Sequence, residues 1–248
     1  AGEDADVVSQ AIYGANAAIL ERQAGWARIR TADGYSGWVP ESSIRPGEPY
    51  AASGRVAEVQ SLFAHIYREP SVTRHKPLVT VPFESRLEVA AEPRDDPRWI
   101  EVKLPGGGSG WVQRGDVAFD APPLTIPETI ELAHRFLGLP YTWGGTSSYG
   151  YDCSGFTQML LRRRGILMPR DAHPQAHWER METVEPAALR PGDLLFFGEK
   201  GGRITHTGMY LGAGKFIHAT AHERPVVQIS ELADPHWAGL LVASRRPK

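Results

Sequence analysis

The sequence predicts a multidomain chain in which two small β-barrels precede an α+β domain. The barrels are predicted by a near-repeat, since Trp26 and Trp38 recur as Trp99 and Trp111, 73 residues later in both cases. The α+β domain is predicted because two helical patterns are followed by short apolar runs bounded by glycine. The expected domains are barrel 1 over 1–48, barrel 2 over 49–121 and the α+β domain over 122–248.

Each copy of the repeat is predicted to form a β-hairpin. In the first copy, the alternating segment WARIR at 26–30 is followed by GYSGWV at 34–39. In the second, WIEVK at 99–103 is followed by GGSGWV at 107–112. Alternation of this kind predicts strands, and the glycines between the strands predict tight turns.

Turn-rich segments mark the predicted boundaries. GEPYAASG at 47–54 separates the two copies, and the proline-rich DAPPLTIPET at 120–129 separates the second copy from the rest. Upstream of the two hairpins, the segments 11–21 and 82–92 are predicted to supply earlier strands of each unit.

The carboxy-terminal segment has a different pattern. PETIELAHRFLG at 127–138 and SGFTQMLLRRRG at 154–165 each predict a helix that ends at a glycine. After Pro191-Gly192, the runs GDLLFFG, THTGMYLG and GKFIHAT predict antiparallel strands. Helices followed by a sheet predict an α+β arrangement.

Composition excludes several classes of protein. A hydrophobic content of 42% and a charged content of 23% are typical of soluble globular proteins. The formal net charge of −2 gives no basic footprint for nucleic acid. No apolar run approaches the roughly 20 residues that cross a bilayer. The chain begins AGEDADVV, without Met or a leader pattern, so both an exported location in the cell envelope and the cytoplasm stay open. No pattern predicts an oligomer.

Cys153, in the stretch YGYDCSGF, is the single cysteine of the chain. The glycine-rich residues before it predict a loop, and the amphipathic run after it predicts a helix, so we expect the thiol in a helical first turn capped by Asp152 or Ser154. Unpaired backbone N–H groups and the helix dipole stabilise an anion there, which lowers the pKa of a cysteine. This placement favours a nucleophilic thiol.

Two histidines are predicted to lie side by side. His206 and His218 fall in neighbouring predicted strands, joined by a tight turn over Gly212-Ala213-Gly214. One histidine would act as a general base and the other would orient it.

Simpler interpretations stay open at this point. A lone cysteine is often a core residue, and strand histidines are often structural. The two histidines could form half of a metal site, but no second cysteine or suitably spaced ligand completes it. The other seven histidines, which include His222 and His236, are scattered and interpreted as ordinary.

The order and spacing of YTWGG, YDCSGF, PRDAHPQ, PGDLLFF, HTGMYLG and FIHAT resemble those of the NlpC family of papain-like cell-wall cysteine peptidases. The resemblance covers about the last half of the chain. The two repeats resemble bacterial SH3 domains. This combination is similar to the γ-D-glutamyl-L-diamino acid endopeptidases, which cut the bond between D-glutamate and the diamino acid of peptidoglycan stem peptides. It implies a papain-like fold and a thioester mechanism that requires no metal and no cofactor.

The resemblance also implies roles for individual residues. Cys153 would be the nucleophile, His206 the base and His218 the orienting member. Around them, it implies an oxyanion or substrate contact for each of the following residues: Tyr141, Trp143, Asp152, Ser154, Arg170 and Asp171. The family often has Ser or Thr where this chain has Ala172, so the resemblance does not supply that contact.

Tyr35 is predicted to select the substrate. Gly108 occupies its place in the second copy of the repeat, so the barrel itself does not require an aromatic residue there. An exposed tyrosine at a hairpin tip is the simpler interpretation. In similar enzymes a tyrosine and an acidic residue of the first barrel close the cleft around a free N-terminal L-alanine. No residue here is assigned as the acidic partner.

The predicted activity is therefore the trimming of free stem peptides, L-Ala-γ-D-Glu-diamino acid, where the diamino acid is diaminopimelate or lysine. A competing hypothesis is an autolysin of the same chemistry that acts on intact peptidoglycan and uses its SH3 domains for wall targeting. A non-catalytic binding protein is a hypothesis of a different class, and the complete Cys-His-His set argues against it. An amidase or acyltransferase on the same fold also stays open.

Overall fold

The computed structural model describes residues 5–248. The chain forms two compact units. The amino-terminal unit comprises Ala11–Pro122 together with the described residues before Val7, and the carboxy-terminal unit comprises Pro123–Lys248 together with Val7–Gln10. The sequence did not predict that Val7–Gln10 would belong to the second unit, since those residues lie within the predicted first barrel.

The amino-terminal unit is built from antiparallel strands. A three-stranded sheet has the order β1-β2-β3, and a seven-stranded sheet has the order β10-β4-β7-β8-β9-β5-β6. The strands are β1 (Ala18–Gln23), β2 (Trp26–Arg30), β3 (Ser36–Pro40), β4 (Val56–Val59), β5 (Phe63–Tyr67), β6 (Val79–Pro82), β7 (Arg86–Ala91), β8 (Trp99–Lys103), β9 (Ser109–Gln113) and β10 (Val117–Phe119).

The two predicted hairpins are confirmed and share one geometry. In β2–β3, Arg30 faces Ser36, and in β8–β9, Lys103 faces Ser109, so the two pairs have the same offset as the sequence repeat. The earlier strands are shorter than predicted. The first begins only at Ala18, after a turn in which Gly14 has a φ of +78°.

Burial differs between the two sheets. The seven-stranded sheet encloses a core of fully buried aliphatic residues: Ala57, Val59, Ala64, Ile66, Val81, Leu87, Ile100, Val102 and Val112. In the three-stranded sheet, β1 is exposed along its length and β2 buries Ala27 and Ile29. Alternation along β2 and β8 therefore places one face of each hairpin inward.

The carboxy-terminal unit contains four helices and eight strands within its described residues. Its six-stranded antiparallel sheet has the order β13-β18-β14-β15-β16-β17, and β11 pairs with β12. The elements are α1 (Ile126–His134), β11 (Thr146–Ser147), β12 (Gly150–Tyr151), α2 (Cys153–Arg163), α3 (Ala172–Ala176), β13 (Met181–Thr183), β14 (Leu194–Gly198), β15 (Ile204–Gly212), β16 (Lys215–Thr220), β17 (Val226–Glu231), α4 (Pro235–Leu240) and β18 (Leu241–Pro247).

Both predicted helices and the three predicted strands of this unit are confirmed. α1 begins at a capping box, in which the Thr125 hydroxyl accepts from the Glu128 N–H and the Glu128 carboxylate accepts from the Thr125 N–H. α3 and α4 were not predicted, because five or six residues are too few to show helical periodicity. The longest described helix, α2, has 11 residues, and no described helix is long and apolar enough to cross a membrane.

The sheet positions the predicted histidines. β14 is completely buried and lies between β18 and β15 in the interior of the sheet. β15 and β16 form the predicted hairpin, whose turn residues Ala213 and Gly214 both have a positive φ. Two residues of positive φ match the right-handed twist of the adjoining strands. A cluster of Phe197, Phe216 and Trp237 packs beneath this hairpin.

Candidate active site

Cys153 is the first residue of α2, as the sequence predicted. The Asp152 side chain caps the helix by accepting a hydrogen bond from the Gly155 N–H at 2.7 Å. The thiol is nearly buried, with 7% of the residue exposed. The helix start therefore holds a nearly buried thiol.

The thiol lies against the strand that carries His206. Its Sγ is 3.8 Å from the Thr205 carbonyl oxygen, to which the S–H donates, and it also accepts from the Thr207 N–H. β16 pairs with β15 from Met209 onwards, so the backbone at 205–207 is open to the helix. The two contacts flank His206 in sequence, so they place the thiol against the part of β15 that carries this histidine.

His206 and His218 form the predicted pair. His206 Nε2 lies 2.7 Å from His218 Nδ1, and His218 Nε2 lies 3.0 Å from the Ser230 hydroxyl oxygen. Nδ1 of His206 is therefore the nitrogen that remains to accept a proton from the thiol. Proton acceptance at His206 Nδ1 requires the tautomer with a proton on Nε2 of each histidine, in which His206 donates to His218 and His218 donates to Ser230.

An aromatic cluster encloses the two imidazoles. Trp237 of α4 stacks on His206 with ring centroids 5.0 Å apart and meets His218 edge-on at 4.7 Å. His222 and His236 stack on each other at 3.7 Å, and both meet Trp237 edge-on. The sequence interpreted those two histidines as ordinary, whereas the structure places them at the edge of this cluster.

Burial keeps the three predicted catalytic groups uncharged. It lowers the pKa of His206 to about 3, with smaller contributions from His236 and His222, and it lowers the pKa of His218. Burial also raises the pKa of the Cys153 thiol to about 12, and the Asp152 charge adds to this. The expectation that the helix start lowers this pKa was wrong in its net direction. The N–H groups of Thr207 and Ser154 do lower the pKa, but burial outweighs them.

A buried ion pair lies on the other side of Cys153. Arg170, with 2% of the residue exposed, donates from Nη1 to Asp152 Oδ1 at 3.0 Å and from Nη2 to Asp152 Oδ2 at 2.5 Å. Nη1 also donates to the Ser154 hydroxyl at 2.8 Å, and this hydroxyl donates to Asp152 Oδ1 at 3.2 Å. Burial lowers the pKa of Arg170, but the hydrogen bonds and charge of Asp152 raise it by more. Asp152, Ser154 and Arg170 thus form one network.

The buried Gln175 of α3 supports this network from behind. Its Nε2 donates to the backbone carbonyls of Ser154 and Pro169 at 3.1 and 2.9 Å, and its Oε1 accepts from the Thr157 hydroxyl at 3.2 Å. Gln175 joins α2 to the segment that carries Arg170. It is the last residue of the PRDAHPQ motif, but the motif alone did not indicate an inward side chain.

The other predicted site residues occupy different environments. Tyr141 is half-buried, and burial raises its pKa, to which the Asp152 charge and, once it is ionised, the Cys153 thiolate add. Trp143 is 66% exposed. Asp171 precedes α3 and makes no side-chain cap to it. Tyr35 lies in the turn between β2 and β3, where its N–H donates to Asp33 Oδ1 at 3.2 Å. Substrate contacts of these four residues stay predictions.

The arrangement is suited to nucleophilic catalysis. It combines a thiol at a helix start, a neutral imidazole beside it and a second imidazole that fixes the tautomer of the first. Among residues 5–248, no group of three or more His, Cys, Asp or Glu side chains is arranged to hold a metal ion.

Comparison with known proteins identifies the family. A gamma-D-glutamyl-L-lysine dipeptidyl-peptidase of Bacillus cereus is 32% identical to this chain over 96% of the chain and 74% of its own length. The NlpC/P60 family model matches residues 138–246. The chain belongs to the NlpC/P60 family. The matched region of this NlpC/P60 protein contains Cys153, His206 and His218.

Further comparisons extend the similarity to most of the NlpC/P60 chain. A crystal structure of an NlpC/P60 family protein from Bacillus cereus superposes with a TM-score of 0.85 and 31% identity, covering 96% of this chain and 81% of the other. A gamma-D-glutamyl-L-lysine dipeptidyl-peptidase of Bacillus subtilis is 27% identical over 97% of this chain and 81% of its own length. Residues 1–44 match the model for the bacterial dipeptidyl-peptidase SH3 domain, which confirms an SH3 domain at the amino terminus.

Proposed function

We propose that this chain is a cysteine peptidase that hydrolyses the γ-D-glutamyl-L-diamino acid bond of peptidoglycan stem peptides with a free N-terminal L-alanine. The observation that carries the proposal is the placement of the Cys153 thiol against Thr205 and Thr207, on either side of His206, which is linked through His218 to Ser230. The relatives named gamma-D-glutamyl-L-lysine dipeptidyl-peptidase are similar to this chain over nearly its whole length, which supports the substrate class.

The first chemical step forms a thioester. His206 Nδ1 takes the thiol proton as Cys153 Sγ attacks the γ-carbonyl carbon, and the carbonyl electron pair moves to oxygen. When the oxyanion collapses, the carbon–nitrogen bond breaks and His206 passes its proton to the departing diamino acid amine. Water then attacks the thioester, His206 accepts a proton from it, and the proton returns to sulfur as the acid is released.

Two donors are proposed for the oxyanion. The Cys153 N–H lies at the unpaired start of α2, and the Tyr141 hydroxyl keeps its proton because the pKa of Tyr141 is raised. Loss of one oxyanion donor typically lowers kcat by about 100-fold or more. The Tyr141→Phe variant therefore tests the phenol without changing the ring.

The Asp152–Arg170 pair is proposed to bind the substrate's ammonium group. Arg170 forms an ion pair with Asp152 in a nearly buried position, so a carboxylate lies beside the proposed nucleophile. The described contacts of Asp152 Oδ2 consist of one donor, Arg170 Nη2, which leaves this oxygen with capacity for another. An acylated alanine would bring no positive charge to it.

The second copy of the repeat is proposed to be another SH3-like barrel. The shared strand offset and register of β2–β3 and β8–β9 support this assignment. The proposed domains are therefore 1–48, 49–121 and 122–248, with Val7–Gln10 contributed to the last of them.

Mass spectrometry of purified enzyme with matched peptides tests the function. L-Ala-γ-D-Glu-meso-diaminopimelate, its lysine counterpart and the N-acetylated forms of both are the substrates, and the Cys153→Ala variant is the control. Cleavage restricted to the free-amine peptides and lost in the variant is the expected result. Equal cleavage of acetylated peptides or intact sacculi would favour an autolysin, and no cleavage of any peptide would contradict the proposal.

The role proposed for Tyr35 is tested in the same assay. We expect Tyr35→Ala to raise KM or to allow cleavage of the acetylated peptide, while the reactivity of Cys153 stays unchanged. An unchanged substrate profile would show that Tyr35 plays no part in selection.

A further inference from the structure

Four residues from the start of the chain are built into the peptidase unit. Gln10 Oε1 accepts from the Thr146 N–H at 3.0 Å and from the Ser147 hydroxyl at 3.1 Å, and the Gln10 carbonyl accepts from the Thr146 hydroxyl at 3.1 Å. Ser9 Oγ lies 3.2 Å from Arg170 Nε, from which it accepts. The segment Val7–Gln10 therefore contacts the unit through side-chain and backbone groups.

Close packing accompanies these hydrogen bonds. The Val7 backbone lies so near Gly144 that a side chain there would collide with the Val7 carbonyl oxygen. Gly144 also has a φ of +73°, which favours glycine. Because residue 144 is a glycine, Val7–Gln10 can pack against the loop that leads to Cys153.

The contacts of Gln10 act on the hairpin that precedes Asp152 and Cys153. Thr146 and Ser147 form β11, which pairs with β12, and β12 ends one residue before Asp152. The Asp152 N–H donates to the Gly145 carbonyl at 3.1 Å. Gln10 therefore restrains the backbone of the hairpin that sets the position of Asp152.

The contact of Ser9 acts on Asp152 through its partner. Arg170 uses Nη1 and Nη2 for Asp152 and Ser154, and its Nε donates to Ser9. A buried guanidinium needs a partner for each N–H group to keep a fixed orientation. Ser9 fixes the end of the guanidinium that does not contact the carboxylate.

We infer that Ser9 and Gln10 are positioning residues of the peptidase site, which hold Asp152 in the orientation that binds the substrate's ammonium group. The two routes, one through Arg170 and one through the β11–β12 hairpin, meet at Asp152. The inference rests on the function proposed above for the ammonium group. It assigns part of the substrate specificity to the first residues of the chain.

Steady-state kinetics of full-length variants test the inference. Ser9→Ala and Gln10→Ala are expected to raise KM for the free-amine peptide about tenfold, with kcat within about twofold of the parent. Ser9→Thr keeps a hydroxyl and Gln10→Glu keeps the accepting oxygen, so both should restore KM to near the parent value. Val8→Ala, which alters an exposed neighbour in the same segment, is the matched control.

A second readout separates this inference from the proposed function. Cys153 is the single cysteine, so iodoacetamide labels one site, and the neighbouring charges of Asp152 and Arg170 influence its reactivity. Ser9→Ala should shift the pH profile of alkylation, whereas Ser9→Thr and Val8→Ala should not. If Ser9→Ala shifts the alkylation profile but the parent enzyme cleaves no peptide, the positioning role of Ser9 is supported and the proposed function is contradicted.

Two outcomes would overturn the inference. One is an unchanged KM and an unchanged alkylation profile in both alanine variants. The other is an equal loss of activity in the alanine, threonine and glutamate variants that follows a fall in thermal midpoint, which would show that the segment only stabilises the fold.

Discussion

The two sides of Cys153 hold their polar groups in different ways. On the helix side, Asp152 and Arg170 form an ion pair that side-chain hydrogen bonds hold in place. On the strand side, His206 and His218 are uncharged, and Trp237 packs against both rings. One side places an ion pair beside Cys153, and the other places two uncharged imidazoles beside the strand that contacts it.

The difference follows from the energetics of burial. A buried charge is tolerated when a partner and hydrogen bonds satisfy it, as Arg170 does for Asp152. An imidazole without an anionic partner stays neutral when buried. The helix side therefore suits recognition of a charged substrate group, and the strand side suits proton transfer.

Removal of the base should have the largest effect. We expect His206→Ala to lower kcat by about 10³- to 10⁴-fold, because it removes the imidazole proposed to take the proton from Cys153 Sγ. Peptide hydrolysis measures this, with Trp237→Phe as a control that retains both histidines. A loss smaller than about tenfold would show that the strand side does not supply the base.

Removal of the cation should damage stability more than any other change on the helix side. Arg170→Met leaves Asp152 as an unpaired buried charge, so we expect the free energy of unfolding to fall by about 3–5 kcal/mol. Urea unfolding measures it. The double variant Arg170→Met with Asp152→Asn should recover part of the loss, and no recovery would contradict the pairing argument.

The uncharged state of the strand side predicts a pH dependence of stability. Because the pKa of folded His206 is about 3 and that of the unfolded residue about 6.5, the unfolded chain binds more protons between these values. Stability should therefore rise with pH from about 3 to 6.5, by at most about 1.4 kcal/mol per pH unit for this group. The raised pKa of Cys153 predicts a loss as pH rises from about 9 to 12.

The free energy of unfolding is measured across this pH range for the parent and for His206→Gln. The difference between the two curves isolates the contribution of His206 at acid pH from that of the carboxylates. Subtraction of Cys153→Ala isolates the alkaline branch in the same way. Parallel curves for the parent and variants would show that neither group is held uncharged by burial.

The smallest expected effect concerns a hydroxyl next to His206. Thr207 is fully buried, and its Oγ1 has no hydrogen-bond partner within the described part of the chain. Thr207→Val replaces this hydroxyl with a methyl group of similar shape, so we expect a gain of about 1 kcal/mol in the free energy of unfolding. Thermal unfolding of the variant measures the gain, and a loss of stability would indicate an unrecognised partner.

Much of the strand side was predictable from the sequence. The twelve-residue spacing of His206 and His218, with glycines between them, predicted adjacent strands, and the structure confirms the pair. The cap by Asp152 was also predictable, because a loop followed by an amphipathic run marks the start of a helix. These features depend on local spacing, which a single sequence records.

Other features depend on contacts between distant residues. Trp237 lies in a helix of six residues, and Ser230 lies in a strand that the sequence did not reveal. The side chain of Arg170 was expected near the substrate, but the sequence alone did not indicate which groups it contacts. The direction of the Cys153 pKa was mispredicted because the helix start is a local feature and burial is a property of the packed unit.

The placement of Val7–Gln10 makes the peptidase unit discontinuous in sequence. A fragment expressed from Pro123 onwards would lack Ser9 and Gln10, and a protease that cut the proline-rich linker would leave them on the other piece, joined only by noncovalent contacts. Recombination at that linker would likewise replace the amino-terminal segment whose Ser9 contacts Arg170. The unit therefore cannot be moved as one continuous segment without losing the contacts of Val7–Gln10.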